Sequence, residues 1–249
     1  MIDLNERHQI GLARFIVNNM SVDSQTRTND AFLRLQEAIV KGEIAPGSKL
    51  REAELSQEYG ISRGPLREAL NRLEGRRLVR KVPHVGAQVV AMDLKELAEI
   101  YLIRENLEAL ACRLAAQQMS DEALHALGEL LNTHEDYIHA QDGKRYFNQQ
   151  GDLDFHYQII LGSGNQSLVN LLCDELYQLV RRYRYTGSHR QSRPNQALAE
   201  HKRIYEALVA RDGELAALLM QRHIQTARRN IEATLQADTD NNRSVKEEQ

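Results

Sequence analysis

The sequence predicts a mainly α-helical protein, with a small N-terminal part that ends in a β-hairpin and a larger all-α bundle of about six helices. Three observations predict it. Residues 50–91 read as a short helix, a tight turn, a second helix and a two-stranded ribbon. Beyond Asp93 helical periodicity recurs without convincing strand signals. A length of 249 residues with 42% hydrophobic content suits one small and one larger domain.

The first helix of the N-terminal pattern is predicted over Glu52–Tyr59. It should end at Gly60, because glycine readily takes the positive φ that a helix C-terminus often needs. Ser62 is predicted as the N-cap of the next helix, its hydroxyl accepting from a free backbone N–H. That helix should begin near Arg63, since Pro65 falls in a first turn, where a missing N–H costs nothing.

The second helix has one apolar face and one polar face. Leu66, Ala69, Leu70 and Leu73 recur at helical spacing and are predicted to face the core. The opposite face then carries Arg63, Arg67 and Asn71. After it, the sequence predicts a strand, a turn and a returning strand over Leu78–Val82, Pro83–Gly86 and Ala87–Ala91. The whole pattern is that of a winged helix-turn-helix.

Charge separates this part from the rest of the chain. Residues 61–81 hold seven Lys or Arg against two acids, a net charge of +5, and residues 26–92 carry +4, whereas the remainder carries −7. An Arg-rich helix can simply be a solvated face. A basic patch on an otherwise acidic protein is, however, typical of phosphate binding. The sequence therefore predicts binding to double-stranded DNA, with Arg63 and Arg67 nearest the base edges.

The stretch from Gly42-Glu43-Ile44-Ala45-Pro46-Gly47 to Leu73-Glu74 resembles the DNA-binding domain of GntR-family bacterial transcription regulators. The resemblance implies a regulator that binds operator DNA as a homodimer. Gly64 stands where the family usually has Thr, and His84-Val85 replaces the more usual Asn-Arg before the wing glycine. The predicted DNA-binding residues are Ser62, Arg63, Gly64, Arg67, Asn71, His84 and Gly86.

Four segments are predicted along the chain. Residues 1–25 form an N-terminal extension, 26–92 the winged domain with a first helix over about Asp30–Lys41, 93–236 the helical domain, and 237–249 a disordered tail. Helical periodicity in the third segment recurs over Leu94–Met119, Asp121–Ala140, Tyr146–Leu161, Gln166–Tyr185, Pro194–Ala210 and Gly213–Leu235.

Four residues of the helical domain are candidate metal ligands. Asp152 and His156 are four apart on a predicted helix and should project from one face, while His201 and His223 lie on two later helices. If these faces point inward, the set can bind a divalent metal: imidazole suits zinc or nickel, and the carboxylate admits manganese or iron. An isolated Asp-x-x-x-His pair is more often a surface pair.

The same segments are similar to the FCD effector domain of the FadR-type branch of GntR regulators. The similarity rests on Asp152 to His156 with Ser163-Gly164-Asn165, on Glu200-His201 with Ile204, and on Asp212, Met220 and His223. It implies a metal, most often zinc, held by Asp152, His156, His201 and His223. Asp152 fits the family spacing better than Asp154.

Arg104 is the first candidate for binding an effector. Its segment, Ile103 to Leu110, is similar to the first helix of the FCD domain, where an arginine often meets an organic acid, and a guanidinium suits a carboxylate. The alternative is an ion pair with Glu105 or Glu108. Arg184 and Tyr185 are further candidates for the same pocket, although a solvated cationic helix end explains them equally well.

The remaining residues exclude several classes of protein. No signal peptide and no run of about 18 apolar residues is visible, so a cytoplasmic protein without a membrane partner is expected. Cys112 and Cys173 are predicted as ordinary buried thiols. The other histidines match no ligand pattern and are predicted at the surface: His125, His134, His139 and His189.

Together these patterns predict a ligand-responsive transcription regulator, more commonly a repressor in this branch, with a small carboxylate-bearing effector bound at a metal site. Two alternatives remain open. One is a pure metal sensor, in which the ion itself is the signal. The other is a metal-dependent enzyme with a nucleic-acid-binding appendage, although no general acid or base motif such as His-Glu-x-x-His accompanies the ligands.

Overall fold

The computed structural model describes residues 26–140, 154–190 and 193–247. The predicted N-terminal extension, residues 1–25, lies outside them. The chain divides into two compact units between Ala91 and Met92, one residue from the boundary that the sequence predicts.

The first unit is the winged helix-turn-helix that the sequence predicts. Helix α1 covers residues 26–40. It is followed by β1 (Lys49–Leu50), α2 (Glu52–Glu58), α3 (Arg63–Gly75), β2 (Val79–Val82) and β3 (Gly86–Val89). The strands form an antiparallel sheet in the order β1–β3–β2, in which Lys49 lies opposite Gln88 and Val82 opposite Gly86. Strand β1 is not predicted from the sequence, because two residues are too few to show strand alternation.

Helix α3 begins at Arg63, as predicted, and Gly60 in the preceding turn has φ +62. Its four predicted core residues are buried, with at most 3% of each exposed, in a cluster that they share with α1 and the sheet. Ser62 occupies the N-cap, but its side chain makes no capping hydrogen bond. That detail of the prediction is wrong, and the Ser62 hydroxyl stays exposed beside the helix start.

The second unit is a helical bundle around a single apolar core. The helices are α4 (Leu94–Gln118), α5 (Asp121–Ala140), α6 (Phe155–Gly162), α7 (Gln166–Val169), a π-helical turn (Asn170–Glu175), α8 (Tyr177–Arg190), α9 (Pro194–Val209) and α10 (Gly213–Glu247). Helix α4 packs on α6, α9 and α10, and α5 packs on α6 and α9.

Several helices differ from the prediction. Helix α6 begins at Phe155, because Asp154 has an extended backbone and caps it; residues 141–153 lie outside the described chain. The helix predicted over Gln166–Tyr185 is interrupted by the π-helical turn, which periodicity cannot reveal. Helix α10 continues to Glu247, so the tail predicted as disordered is helical that far. Once a packed segment has nucleated a helix, each further residue adds a backbone hydrogen bond.

Within the described residues, no helix is long and apolar enough to span a lipid bilayer. Cys112 and Cys173 are buried free thiols, as predicted.

Candidate DNA-binding surface and candidate metal centre

The predicted DNA-binding residues all lie on the surface of the first unit. Three belong to the start of α3 and its cap, two to the second and third turns of α3 and two to the wing, and all are exposed: Ser62, Arg63, Gly64, Arg67, Asn71, His84 and Gly86. Gly86 at the wing turn has φ +94, a conformation that favours glycine. The structure thus places a polar helix start and a hairpin tip in contact with solvent on the same small unit.

The two arginines nearest the helix start are held differently. The Arg67 Nε donates to Glu52 Oε2 on α2 at 2.8 Å, and the pair is exposed. For the Arg63 side chain, no hydrogen bond or ion pair joins it to any other described residue. An exposed ion pair contributes little stability, so Glu52 can release Arg67 at small cost. Both guanidinium groups can therefore reach a phosphate or a guanine edge.

Other cations of the same run have structural roles. The guanidinium groups of Arg72 and Arg76 lie over the Phe32 ring of α1, 3.8 and 4.9 Å from its centroid. Arg80 donates to Gln88 across the wing, and Lys81 pairs with Glu74 at 3.0 Å. The excess positive charge is therefore only partly available to a partner.

Helices α6, α9 and α10 bring three predicted ligands together in the second unit. One ligand atom from each of His156, His201 and His223 lies within 4.8 Å of the other two, and all three residues are buried. The Nε2 atoms of His201 and His223 are 3.1 Å apart. Phe155 stacks on the His201 ring, with centroids 4.4 Å apart, and helps to fix its orientation.

Carboxylates stand behind two of these imidazoles. The Nδ1 atom of His156 is 2.6 Å from Glu108 Oε2, and Nδ1 of His223 is 2.7 Å from Glu200 Oε2. A carboxylate partner at Nδ1 favours the tautomer that leaves Nε2 free as a metal ligand. Two Nε2 atoms each about 2.1 Å from zinc would be about 3.0 Å apart at a right angle and about 3.4 Å apart in a tetrahedron. The observed separation suits either arrangement.

The protonation of this cluster also suits a cation. Burial holds the pKa of His201 well below its usual value and lowers the pKa of His223 to about 4. Burial alone would raise the pKa of Glu108, but Arg104 and His156 outweigh it and bring that pKa to about 2. At neutral pH the site therefore offers the neutral imidazoles of His201 and His223, the form that can bind a divalent metal.

The fourth predicted ligand, Asp152, lies outside the described residues. The helix that carries His156 begins at Phe155, after an extended Asp154. Asp154 accepts hydrogen bonds from the His156 backbone N–H and from the Tyr177 hydroxyl, and it pairs with Arg184. Its oxygens are therefore engaged as a helix cap and counter-ion.

Arg104 and Arg184, two of the three predicted effector residues, line one small cavity beside His156. The cavity measures about 20 Å³, which is room for roughly one water molecule. The Arg104 Nε donates to Glu108 Oε1 at 2.7 Å, so the ion pair that the sequence offered as an alternative is present, with Glu108 as the partner. Tyr185, on α8, is half-buried and is not among the residues that line this cavity.

Sequence reasoning missed several residues of this site. The sequence indicates Glu108 only as a partner for Arg104, and Glu200 only as a neighbour of His201. His134 was predicted at the surface and is 1% exposed, so that prediction is wrong; it contributes to lowering the His201 pKa. His125 and His139 are exposed as predicted, and the His189 side chain lies outside what the structure describes. Packing between helices, not local spacing, decides which of these side chains is buried.

Comparison with known proteins identifies both units. Residues 27–89 match the family described as bacterial regulatory proteins, gntR family, and residues 99–226 match the FCD domain. The chain belongs to the GntR family. The FCD match places the chain in the branch that the sequence resemblance indicated. The members of this family are transcription regulators and not enzymes.

Two curated relatives are similar to this chain over most of their length. The repressor GlaR of Escherichia coli is 32% identical over 207 residues, which cover 79% of this chain and 92% of that protein. The uncharacterized regulator YdhC of Bacillus subtilis is 33% identical over 188 residues, covering 74% and 81%. The family and its relatives exclude the alternative of a metal-dependent enzyme.

Solved structures share the fold. A GntR regulator from Rhodococcus sp. RHA1 aligns with a TM-score of 0.65 at 23% identity, over 83% of this chain and 97% of that one. McbR/YncC of Escherichia coli aligns with a TM-score of 0.63 at 24% identity, over 85% and 98%. At this identity the likeness is one of fold.

Proposed function

We propose that this GntR regulator is a repressor that binds operator DNA as a homodimer and responds to a small carboxylate-bearing effector at a metal site in its helical unit. The observation that carries the proposal is the cluster of three buried histidines adjoining a cavity lined by Arg104 and Arg184. Effector binding would shift the population between states that do and do not hold the operator.

The chemistry of the histidine cluster supports a metal. His156, His201 and His223 offer converging imidazole nitrogens, and zinc is the first candidate, with nickel, manganese and iron as others. When bound, the ion supplies a Lewis-acidic centre whose open coordination positions a carboxylate can occupy. Asp152 remains the proposed fourth ligand on the FCD resemblance.

Unsatisfied polar atoms near the cavity support an anionic ligand. Among the described residues, the buried Tyr101 hydroxyl and Arg184 Nε have no hydrogen-bond partner. Buried donors without partners are costly, so they favour binding of an acceptor. The Arg104 guanidinium lies over the Tyr101 ring, 4.6 Å from its centroid, which keeps a cation next to one of these donors. A carboxylate suits this group, and Tyr185 on the same helix as Arg184 is proposed as a further contact.

The first unit supports the DNA half of the proposal. Arg63 and Arg67 reach solvent from the first two turns of α3, where residues of a recognition helix approach base edges. Ser62, Gly64 and Asn71 flank them, and His84 and Gly86 at the wing are proposed to meet the phosphate backbone. A fork of guanidinium donors fits guanine O6 and N7.

Exposed apolar residues support the homodimer. On α4 and α10, which pack together, five large hydrophobic side chains are between 37% and 54% exposed: Leu102, Ile103, Leu110, Leu215 and Leu218. Apolar side chains grouped on neighbouring helices are typical of a subunit interface. We assign this surface to a second copy. Sedimentation should show the double variant Ile103→Glu, Leu218→Glu as a monomer at concentrations where the parent is a dimer.

A pure metal sensor is the second candidate. Two observations favour it: the cavity beside His156 holds only about one water, and both arginines that line it are paired with carboxylates, Glu108 and Asp154. In that case the ion alone would change operator affinity.

The test combines metal content with DNA binding. DNA that the full chain selects from a random pool serves as the target, and its affinity is measured with and without zinc and with a panel of small carboxylic acids. The double variant His201→Ala, His223→Ala should lose bound metal by mass spectrometry and lose the acid response. The matched control His125→Ala, His139→Ala removes two exposed histidines and should keep both.

Each outcome has a meaning. A response to zinc without acids favours the pure sensor, whereas a response to acids only in the presence of metal supports the effector site. Unchanged metal content in the His201, His223 variant would refute the metal site.

A further inference from the structure

Two carboxylates stand behind the histidine cluster, and they differ in what holds them. Glu108 lies between the His156 Nδ1 at 2.6 Å and the Arg104 Nε at 2.7 Å. Glu200 accepts from Arg193 through two N–H groups, at 2.8 and 2.7 Å, and lies 2.7 Å from the Nδ1 of a second histidine. Arg104 and Glu108 line the small cavity, whereas Glu200 and Arg193 do not.

The two oxygens of Glu108 have separate partners. Its Oε1 faces the guanidinium and its Oε2 faces the imidazole, so one carboxylate joins the cavity to the metal cluster. The Glu108 and Arg104 side chains are each only 4% exposed, compared with 21% and 17% for Glu200 and Arg193. Because the site is buried, solvent screens its electrostatic interactions poorly. A change in the interaction at one Glu108 oxygen therefore affects the interaction at the other.

We propose that Glu108 is a positioning residue for the metal ligand His156 and that it couples metal binding to anion binding at Arg104. This inference rests on the proposed function. By holding the Nδ1 proton, Glu108 leaves Nε2 of His156 as the ligand atom. If a bound carboxylate pairs with Arg104, the hydrogen bond from Arg104 to Glu108 weakens and Glu108 interacts more strongly with His156. The His156 imidazole then becomes a stronger electron-pair donor to the metal. By linkage, anion and metal then each tighten the binding of the other.

The Arg193–Glu200 pair provides an internal control. Glu200 contacts the Nδ1 of His223 as Glu108 contacts that of His156, but Arg193 does not line the cavity. Neutralising either carboxylate should therefore weaken metal binding, whereas only changes at Glu108 or Arg104 should remove the coupling. If Glu108 had only a structural role, replacing it would not remove the coupling between anion and metal binding selectively.

The first measurement is zinc affinity of the full chain, by competition with a chromophoric chelator. Glu108→Gln and Glu200→Gln should each weaken zinc binding by about 10- to 100-fold. Helicity by circular dichroism, recorded without metal, confirms that each variant is folded.

The second measurement repeats the zinc titration in sodium acetate and in sodium chloride of equal ionic strength. Acetate should tighten zinc binding to the parent and to Glu200→Gln by about fivefold or more. It should change zinc binding to Glu108→Gln less than twofold. If Glu108→Gln does not fold, Arg104→Lys is the deciding variant, because an ammonium lacks the fork of donors with which the guanidinium can shift from Glu108 to acetate.

Equal zinc affinity of the parent and Glu108→Gln overturns the positioning role. Absence of an acetate effect in the parent, or the same effect in Glu108→Gln or Arg104→Lys, overturns the coupling. Failure of the proposed metal site is distinct, because the parent chain itself would then bind no zinc.

Discussion

The two units of this regulator present opposite kinds of site. On the winged unit the candidate residues are exposed, and the Arg67–Glu52 pair has side chains 63% and 36% exposed. In the helical unit the Arg104–Glu108 pair is 4% exposed on both sides. An exposed pair is held loosely and can exchange partners at little cost, whereas a buried pair must be satisfied internally or by a ligand. The first arrangement suits phosphate binding, and the second suits selective binding of an ion and an acid.

The largest expected effect of this contrast is on stability. Arg104→Leu leaves Glu108 as a buried carboxylate without its arginine, which should cost the helical unit about 3–5 kcal/mol. Arg67→Leu, on the surface, should change the stability of the winged unit by less than about 1 kcal/mol. Both stability changes can be measured by hydrogen exchange: protection of α4 reports on Arg104→Leu, and protection of α3 reports on Arg67→Leu. Equal losses in the two variants would contradict the contrast.

The second prediction concerns acid. His223 has a folded pKa of about 4, lowered by burial, against 6.5 in the unfolded chain. Below pH 6.5 the unfolded state therefore takes up the proton first, and stability should fall by roughly 1.4 kcal/mol per pH unit for this group as the pH drops from 6.5 to 4. His201 adds in the same direction.

The measurement is hydrogen exchange of α9 and α10 in metal-free protein across that pH range. His223→Gln should flatten the dependence in part. Protection of α9 and α10 that is constant from pH 6.5 to 4.5 would show that these histidines are solvated.

The third prediction concerns DNA. Arg67→Ala should weaken binding to selected DNA by about 10- to 100-fold, the effect of losing one forked guanidinium contact. Arg113→Ala is the matched control, because the Arg113 side chain is 39% exposed and also paired at 2.8 Å, with Glu214, but lies on the helical unit. Gel shift at physiological salt compares the two. Equal losses would mean that net charge, not the position of Arg67, sets the affinity.

The same contrast explains what the sequence could predict. The winged unit was readable because its signals are local: Gly60 ends one helix, Arg63 starts the next, and the apolar spacing around Leu70 fixes which face is buried. The short strand β1 could not be predicted because its pairing partners on β3, Gln88 and Ala87, lie 37 to 39 residues away in the chain.

The helical unit was readable only in part. Periodicity predicted its helices, and the FCD resemblance indicated His156, His201 and His223. Neither signal could show that Glu108 contacts the Nδ1 of His156, since that contact joins residues 48 apart in the chain. Neither could show that His134 is buried. Such facts depend on how α4, α5, α6, α9 and α10 pack.

Anomalous diffraction at the zinc edge from crystals grown with zinc tests the central claim most directly. The account predicts one peak per chain about 2.1 Å from Nε2 of His156, His201 and His223. Full zinc loading in solution with no peak among these three nitrogens would contradict it.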